Sequence, residues 1–517
     1  MKQPCDEGVI ESGAKGRPCS EKARPWVLTA TILGSSMVFI DSTAVNVALP
    51  ALQSNLHATV VDVQWVVEAY GLFLSALILV GGALGDSFGR RAMFLFGVAG
   101  FAIASAGCGF SSSIRELVLW RSVQGVAAAF LVPGSLSIIS SSFDEESRGQ
   151  AIGTWAGFTT VTTALGPILG GWLIEHVSWH WVFFINLPLA ALVLVISLLH
   201  LSESRNPTAE NIDWLGAFIV TAGLAALVYG FLESAILGWR NPHVVGTLVL
   251  GFGALVLFIF IEKTQRMPMV PLKLFQSASF SGANQLTLCL YAALGVFFFF
   301  YPLNLIQIQK YSATATGAAA LPMILLMFFL SRWSGGLVTK YGPRLPLLFG
   351  PLIAAVGFVL FVAPTVRAHY WTGFFPAFTV LGLGMAISIA PLTTVVMNSV
   401  GQQRVGIASG INNAVARVAG VLAIAVLGIV MVAAFAHSLR NSLASLNLKP
   451  DVVHELQSNV ARLGDLQVPA SIDPQTAVMI RAAVMQAFVF GFRVIMLICA
   501  TLAAASAAVA WRKIPGL

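Results

Sequence analysis

Long apolar stretches of this sequence enclose four ionisable residues, Asp41, Glu68, Arg121 and Arg417. A carboxylate withdrawn from water holds a proton more firmly, so Asp41 and Glu68 could bind and release protons near neutral pH. An arginine keeps its charge, so Arg121 and Arg417 each need an acid or a polar cavity beside them. Residues of these types inside apolar segments indicate proton transfer coupled to charge pairing.

The two acids have similar predicted depths, each towards the outer side of its apolar stretch. Two carboxylates at one level can share a proton, because like charges disfavour double ionisation. Asp41 could also pair with a cationic substrate, and we hypothesise that Arg121 is its partner within the protein. The alternative interpretations are a purely structural pair of Asp41 and Arg121, and a Glu68 side chain that reaches the membrane surface.

Two asparagines, Asn412 and Asn413, precede Arg417 by about one helical turn and add hydrogen-bond donors and acceptors beside its charge. This grouping predicts a second polar site in the later part of the chain. Together with the two acids and the first arginine, these residues are the predicted lining of a proton-coupling and substrate cavity.

The composition indicates a membrane protein. The 517-residue chain is 57% hydrophobic and only 10% charged, whereas soluble proteins carry about 25% charged residues. Many apolar runs exceed the ~18 residues that a membrane-spanning helix needs. The net charge of +7 is spread over many loops and forms no basic face of the kind that nucleic-acid binding requires. We therefore expect an all-α polytopic membrane protein in the lipid bilayer, with no nucleic-acid partner.

The apolar runs predict fourteen membrane spans, with ends defined to within about 2–4 residues. The predicted spans are 26–49, 63–84, 92–110, 117–141, 149–173, 181–201, 214–232, 244–261, 284–306, 313–338, 345–365, 371–396, 406–436 and 484–510. The seventh and eighth are the shortest, and both still reach the minimum of about 18 residues.

Basic residues predict the orientation of these spans. With the N-terminus in the cytoplasm, the inner loops and both tails hold 17 Lys and Arg residues, and the short outer loops hold four. This bias predicts cytoplasmic tails at 1–25 and 512–517 in a multi-pass protein of the cytoplasmic (inner) membrane. The long outer segment 437–483 is interpreted as a solvated loop; a cap or a partner surface is the alternative.

A charged motif, GALGDSFGRR at 82–91, interrupts the apolar pattern between spans two and three. Its candidate gate residues are Gly82, Asp86, Gly89, Arg90 and Arg91. Shifted by 253 positions, the segment GGLVTKYGPR at 335–344 keeps Gly335, Gly342 and Arg344 but lacks the acid. Internal duplication predicts two homologous halves with a substrate site between them. Charges at the cytoplasmic mouth could hold an inner gate shut in one state and release it in another, with membrane anchoring alone as the alternative.

The motif GALGDSFGRR resembles the signature loop of the major facilitator superfamily. Three further stretches resemble its fourteen-helix drug:proton antiporter branch, the EmrB/QacA-like multidrug efflux permeases: FIDSTAVNVALP (39–50), LWRSVQGVAAA (119–129), and ALGPILGGWL (164–173) with WHWVFFINLP (179–188). The resemblance covers almost the whole chain after residue 25. Ser87 and His180 depart from the usual motifs, each standing where a base is usual.

This resemblance implies a major facilitator fold of two six-helix bundles plus two extra transmembrane helices. The implied domains are a tail at 1–25, an N-terminal bundle at 26–201, a linker region with the extra helices at 202–275, and a C-terminal bundle at 276–511. In this family an arginine in the position of Arg121 is tied to proton transfer, and a motif like that at 166–171 accompanies exporters.

The antiporter motif also has a physical interpretation. Gly166 and Gly170 form a small-xxx-small pair that allows close helix contact, and Gly171 adds a third small residue. Pro167 removes a backbone donor and can bend the helix. A bend and a close contact would let one half seal against the other; glycines that only pack are the alternative.

We therefore predict a secondary active transporter rather than an enzyme, exporting lipophilic compounds, cationic ones among them, in exchange for protons. No G-x-x-x-x-G-K-[ST] motif occurs, so the proton motive force is the expected energy source, and no cofactor is expected. Export of one metabolite, such as an amino acid, a siderophore or an antibiotic, is the second interpretation, since fold does not choose the cargo. A polytopic membrane enzyme is a remote third.

The predicted partners are a small lipophilic substrate, H⁺ and the lipid bilayer. A periplasmic adaptor protein would be compatible with such an exporter, but no sequence feature indicates one. No metal site is expected, because His176 and His180 lie in a short outer loop without further ligands. The aromatic run GVFFFFYP at 295–302 predicts some ring faces in the cavity, where they would attract a cation.

Overall fold

A computed structural model describes residues 23–143, 145–205, 213–265, 268, 270–400, 405–444, 446, 448–469 and 472–515. Most of the predicted N-terminal tail at 1–25 lies outside these ranges. The described chain is helical and contains no strand, in agreement with the predicted all-α class.

Fourteen helices of at least 15 residues form the described framework. They are α1 (Arg24–Asn55), α2 (Val60–Phe88), α3 (Arg90–Phe110), α4 (Ile114–Ser142), α5 (Glu145–His176), α6 (Asn186–His200), α7 (Trp214–Leu237), α8 (Pro242–Thr264), α9 (Ala278–Leu303), α10 (Leu321–Tyr341), α11 (Arg344–Leu360), α12 (Phe375–Asn398), α13 (Val405–Ala444) and α14 (Pro474–Lys513). Shorter helical segments lie at Trp181–Phe184, Leu272–Gln276, Asn304–Ile308, Ala313–Ala319, Tyr370–Phe374, Pro450–Ser458 and Val460–Asp465.

Twelve of the described helices are long and apolar enough to cross a membrane. The predicted count of fourteen spans is therefore not confirmed. Two further helices lie at predicted spans without being among the twelve. One is α11, which is only 17 residues long, and the other is the 32-residue α5, whose side chains are described only in part.

Two compact units divide the chain differently from the predicted domains. The first unit comprises residues up to Val45, Ala69–Leu224 and Ala254–Pro271; the second comprises Asn46–Glu68, Ala225–Gly253 and Leu272–Leu517. The division crosses α1, α2, α7 and α8, so the predicted linker region 202–275 is shared between the units. Helices of this length extend about 35–48 Å, and their two ends therefore reach different neighbours.

The predicted outer loop 437–483 is shorter in the structure. The helices α13 and α14 each have 40 residues, which corresponds to about 60 Å, twice the thickness of the hydrocarbon core. Their polar ends continue beyond the apolar runs, so hydropathy alone placed the boundaries too far inward. Between them, Leu456 and Leu463 are buried, which makes the connection partly a packed cap and disagrees with a fully solvated loop.

Candidate functional site

A buried ion pair joins α1 to α4. Nη1 of Arg121 donates to Oδ2 of Asp41, and the two side chains are only 1% and 0% exposed. The structure thus brings together the two residues for which the sequence suggested a partnership. Removing one member would leave the other charge buried and uncompensated, at a cost of about 3–5 kcal/mol.

Three neutral side chains complete the surroundings of this pair. Nε2 of Gln124 donates to Oδ1 of Asp41 at 2.9 Å, and Nδ2 of Asn186 donates to the same oxygen at 3.3 Å. Both amides also donate to the hydroxyl of Ser105, at 2.7 and 3.2 Å. Arg121 in turn donates to Oε1 of Gln124 at 2.7 Å. These five side chains, here called the polar network, link α1, α3, α4 and α6.

Aromatic rings cover the cation of the polar network. Cζ of Arg121 lies 4.1 Å from the ring centre of Tyr70 and 5.9 Å from that of Phe183. The negative face of an aromatic ring attracts a guanidinium, more strongly where water is excluded. The rings therefore stabilise the charge of Arg121 in addition to Asp41.

The polar network suits an ionised Asp41. Its carboxylate receives hydrogen bonds from three side chains, and a carboxyl group is a pure acceptor only when it has lost its proton. A proton on Asp41 would cancel its charge and leave the Arg121 cation without its counter-ion. The amides and the guanidinium would then have to rearrange, so protonation at one buried atom could change the packing of four helices.

Glu68 is a second buried acid, on the part of α2 that belongs to the second unit. It is fully buried, and neither carboxylate oxygen has a hydrogen-bond partner among the described residues. An ionised carboxylate without partners is strongly disfavoured away from water, so this environment suits the protonated form. The burial disagrees with a side chain that reaches the membrane surface. The shared proton with Asp41 stays a prediction.

The antiporter motif packs α5 against α1 beside Asp41. A Cβ added at Gly166 would collide with Oγ1 of Thr43, and one added at Gly170 would lie 2.8 Å from Cβ of Ala44. Thr43 and Ala44 follow Asp41 by less than one helical turn. The small-xxx-small pair therefore makes a close contact next to the polar network. Pro167 lies inside α5 and is buried, as is Gly171.

The second predicted polar site lies where α13 packs against α9. Nδ2 of Asn412 donates to Oγ1 of Thr287 at 2.7 Å and to Oδ1 of Asn284 at 3.2 Å, which joins α13 to α9. Asn413 is exposed, and Arg417 is half-buried and close enough to Tyr291 for an electrostatic interaction. Asn412 and Arg417 thus both interact with residues of α9.

The gate motif is organised by an acid that the sequence did not point to. Gly89 has φ 121°, and a Cβ there would lie 2.6 Å from the carboxylate of Glu203. That carboxylate accepts hydrogen bonds from the backbone N–H groups of Arg91 and Ala92, at 3.1 and 3.0 Å. Glu203 therefore caps the first turn of α3, where a negative charge is favoured. Arg90 donates its backbone N–H to the Ser204 carbonyl at 3.0 Å.

The second copy of the gate repeats part of this geometry. Gly342 again has a positive φ, 72°. Nε of Arg344 donates to the Ile514 carbonyl at 2.8 Å, just as Nη2 of Arg91 donates to the Leu198 carbonyl at 3.0 Å. Both carbonyls lie at the end of the sixth bundle helix of their own half. By contrast, among the described atoms a Cβ added at Gly335 would meet nothing within 4 Å, and one added at Gly82 would meet only Cβ of Pro133, at 3.5 Å. The Asp86 side chain lies outside the described set.

Buried amides join the ends of α1 and α2 to the rest of the second unit. Nε2 of Gln307 donates to Oε1 of Gln53 at 2.9 Å, and Nε2 of Gln53 donates to the Arg462 carbonyl at 2.8 Å. Nε2 of Gln64 donates to the Ile424 carbonyl at 3.2 Å. These attachments are neutral hydrogen bonds, worth about 0.5–1.5 kcal/mol each.

Sequence reasoning missed four members of these sites. Gln124 follows Arg121 by three residues, a spacing that places both on one helix face, and Asn186 lies in the motif at the entry to α6. Both carried a signal that could have been used. Ser105 and Glu203 stand in no such motif, and only the packing of the helices reveals them.

Comparison with known proteins supplies the family. The profile described as "Major Facilitator Superfamily" matches residues 31–214 and 207–424. The chain is 32% identical over 511 residues to the tetracenomycin C resistance and export protein of Streptomyces glaucescens, covering 97% of this chain and 93% of that protein. It is 31% identical to the multidrug resistance protein Stp of Mycobacterium tuberculosis, with coverage of 94% and 91%. It is 33% identical to the puromycin resistance protein pur8 of Streptomyces alboniger, with coverage of 83% and 85%.

Solved structures agree on the fold. A bacterial homologue of the human lysosomal transporter Spinster matches with a TM-score of 0.64 at 16% identity, covering 96% of this chain and 99% of that one. The xylose transporter XylE of E. coli matches with a TM-score of 0.57 at 13% identity, covering 95% of this chain and 96% of that one. At such identities the likeness concerns the fold alone.

Proposed function

The chain belongs to the major facilitator superfamily and is a multi-pass membrane transporter, and on that premise we propose that it is a drug:proton antiporter. It would export lipophilic, in part cationic, compounds across the cytoplasmic membrane by alternating access. The observation that carries this proposal is the buried polar network, in which one carboxylate is held by one arginine and two amides.

Asp41 is the proposed proton switch. When ionised, it neutralises Arg121 and orders Gln124 and Asn186 across four helices. When protonated from the outer side, it releases Arg121, and the network must adopt a second arrangement. Two discrete arrangements of packed side chains are what a transporter needs to alternate between two states.

Glu68 is the proposed second proton carrier. Its buried, unpartnered carboxyl group suits a neutral acid, so the described state would hold a proton at Glu68 and none at Asp41. Loss of that proton in another state requires access to water or to a cation. A cationic substrate is one such partner, and it would couple substrate binding to proton release.

The proton motive force supplies enough energy for this exchange. Each charge that crosses 100 mV of membrane potential contributes about 2.3 kcal/mol, which supports roughly a fifty-fold substrate gradient. The repeated loops at 82–91 and 335–344 are the proposed cytoplasmic gate, since both arginines anchor to the end of the last bundle helix of their own half.

Export of one antibiotic is the second candidate. The relatives include proteins named for tetracenomycin C export, puromycin resistance and methylenomycin A resistance. Each of those names refers to a particular antibiotic. This chain would then accept a narrow group of such molecules rather than many lipophilic compounds.

Transport into inverted membrane vesicles tests both candidates. Vesicles with the wild-type chain are energised and offered ethidium, a lipophilic aromatic cation, and separately puromycin, with and without an uncoupler. Uncoupler-sensitive uptake of both compounds supports the drug antiporter, and uptake of puromycin alone supports the narrow exporter. Uptake that ignores the uncoupler would refute proton coupling, and the Asp41→Asn variant serves as the transport-deficient reference.

A further inference from the structure

A pocket of about 530 Å³ lies in the second unit, and none of its lining residues belongs to the sites described above. It is formed by the connection 309–311, which follows α9, and by the connection 367–371, which leads into α12. In the predicted orientation both connections lie on the outer side of the membrane. The pocket therefore lies at the level where lipid headgroups meet water.

Two cations line this pocket, Lys310 and Arg367. They are two of only four basic residues in the short predicted outer loops, so the scarce positive charge of that side is concentrated here. Both side chains are exposed. No described residue hydrogen-bonds or ion-pairs with either side chain.

The backbone at both cations is strained. Lys310 has φ 62° and Arg367 has φ 57°, and only four non-glycine residues in the described chain have a positive φ. Such conformations are unfavourable for residues with a side chain and tend to occur at binding sites. A lysine and an arginine in positions that suit glycine indicate that their side chains are needed there.

A buried glutamine holds the two connections together. Nε2 of Gln309 donates to the Thr365 carbonyl at 2.9 Å, and Oε1 of Gln309 accepts from the Ala368 backbone N–H at 2.8 Å. Gln309 is only 6% exposed. The pocket is thus fixed by neutral hydrogen bonds, and its cations are not used to build it.

The charge around the pocket remains positive when its neighbours are included. Asp465 is an acid that interacts with Lys310, and it also interacts with Arg462 and His57. Because Asp465 also interacts with Arg462, it offsets only part of the charge of Lys310. His369 lines the pocket as well. The surroundings therefore favour an anionic ligand.

Aromatic and apolar surface beside the pocket points to a lipid rather than a free anion. Tyr370 lines the pocket and donates its hydroxyl to the Ala319 carbonyl at 3.0 Å, which places it beside the start of α10. From there an exposed apolar stripe follows α10 through Leu325, Phe329 and Trp333. Trp371, also in the pocket, is 63% exposed, as expected of an aromatic residue at the membrane interface.

We propose that this pocket binds the headgroup phosphate of an anionic phospholipid, with Lys310 and Arg367 as its ligands and the α10 stripe as the track of an acyl chain. The lipid would belong to the leaflet on the predicted outer side. It would tie the loops before α10 and α12 to the membrane surface while the buried network rearranges.

Lipid binding by the purified full-length protein tests this proposal. Displacement of a fluorescent phosphatidylglycerol is measured with three probes: dioctanoyl-phosphatidylglycerol, dioctanoyl-phosphatidylcholine and inorganic phosphate. The anionic lipid is expected to bind at least about fivefold more tightly than the zwitterionic lipid, since one cation contributes about that factor at a membrane surface. Equal binding of the two lipids, or tighter binding of inorganic phosphate, would overturn the lipid assignment.

Variants then locate the binding. Lys310→Gln combined with Arg367→Gln is expected to weaken phosphatidylglycerol binding about 25-fold, as two cations are lost. Arg240→Gln, which removes an outer-loop cation outside the pocket, should leave binding unchanged. The charge-preserving pair Lys310→Arg and Arg367→Lys should bind within about threefold of wild type. Unchanged binding in the glutamine pair, or equal losses in all three variants, would refute the site.

Discussion

The two halves of this transporter carry different kinds of side chain at equivalent positions of their helices: polar and charged in the first half, apolar in the second. The two gate loops are 253 residues apart in the sequence. The same offset places an apolar residue at the equivalent of three network residues: Leu294 for Asp41, Phe358 for Ser105, and Phe374 for Arg121. In the first half the residues form a buried hydrogen-bonded network. In the second half Phe358 and Phe374 are buried among aromatic rings.

The second half uses ring packing where the first half uses charge. The ring centres of Phe297 and Phe361 are 4.9 Å apart, those of Phe361 and Phe378 are 5.0 Å apart, and Tyr301 stacks on Phe297 at 5.2 Å. Such a cluster contains no carboxylate and no cation, and its one phenol, that of Tyr301, is neutral near pH 7. At these equivalent positions the first half therefore holds buried polar and charged groups, and the second half holds packed apolar side chains. The run 295–302, expected partly in the cavity, places Phe297, Phe299 and Phe300 in this core.

The largest expected effect is on transport, where substitutions at equivalent positions of the two halves should give different losses. Asp41→Asn should lower the initial rate of uncoupler-sensitive ethidium uptake by about 100-fold or more, as expected for loss of a proton-transfer group. Leu294→Asn, at the equivalent position of the second half, should lower it no more than about threefold when corrected for folded protein. Vesicle transport assays at matched expression decide this, and comparable losses in both variants would remove the distinction.

Stability of the polar network gives the next effect. Asp41→Asn alone should destabilise the protein by about 3–5 kcal/mol, because Arg121 is left buried without a counter-charge. Adding Arg121→Met should recover most of that loss without restoring transport. Unfolding of purified protein in mixed micelles measures both changes. A double variant no more stable than Asp41→Asn would show that Arg121 has another compensating partner.

A substitution in the aromatic cluster should lower the stability of the protein without changing the dependence of transport on the proton gradient. Phe361→Ala is expected to cost about 2–3 kcal/mol, less than in a soluble core because lipid is itself apolar. The uncoupler-sensitive fraction of uptake per folded molecule should stay at the wild-type value. Unfolding and transport are measured on the same preparation; a selective loss of uncoupler sensitivity would assign the second half a direct part in coupling.

The close contact between α5 and α1 predicts a smaller, reversible effect. Gly166→Ala should cost about 1–3 kcal/mol by overpacking against Thr43. Thr43→Ala in the same chain should relieve part of this cost, since Oγ1 of Thr43 is the nearest atom. Gly253→Ala, whose new Cβ would meet nothing within 4 Å, is the matched control. No rescue by Thr43→Ala would mean that the Ile40 carbonyl sets the limit.

The smallest effect concerns the acid that only the first gate copy has. Glu203→Gln should cost about 0.5–1 kcal/mol by weakening the cap on α3, and less at high salt. No described residue caps α11 in this way, so Pro343→Gln should show no such salt dependence. Thermal unfolding at low and high salt measures both; a salt-independent Glu203→Gln effect would argue against the cap.

Much of the fold could be predicted from the sequence, because a membrane helix must be long and apolar wherever it crosses. The order of helices and the repeat of the gate loop followed from this pattern. The helix ends could not be predicted, because hydropathy shows where an apolar run ends and not where a helix ends. The helix α13 continues through polar residues as far as Ala444. The division of α1 and α2 between two units depends on long-range contacts that no local pattern records.

Only the charged members of the candidate site could be predicted, because charged residues are rare inside apolar segments. Asp41 and Arg121 were conspicuous because an ionised group inside an apolar segment is costly. Ser105 was not, since serine is common in membrane helices and its hydroxyl can be satisfied by its own backbone. Glu203 lies in a loop where acids are ordinary. Its role follows only from the two backbone N–H groups that α3 turns towards it.

Proton release on substrate binding is the measurement that decides where coupling resides. Ethidium is added to purified protein in weakly buffered detergent, and the pH is followed with a dye. We expect wild type and Leu294→Asn to release protons in proportion to the ethidium bound, and Glu68→Gln, which lacks the acid proposed to hold the proton, to bind ethidium without releasing protons. Full release from Glu68→Gln would contradict the account and assign the released proton to another acid, with Asp41→Asn as the first variant to examine.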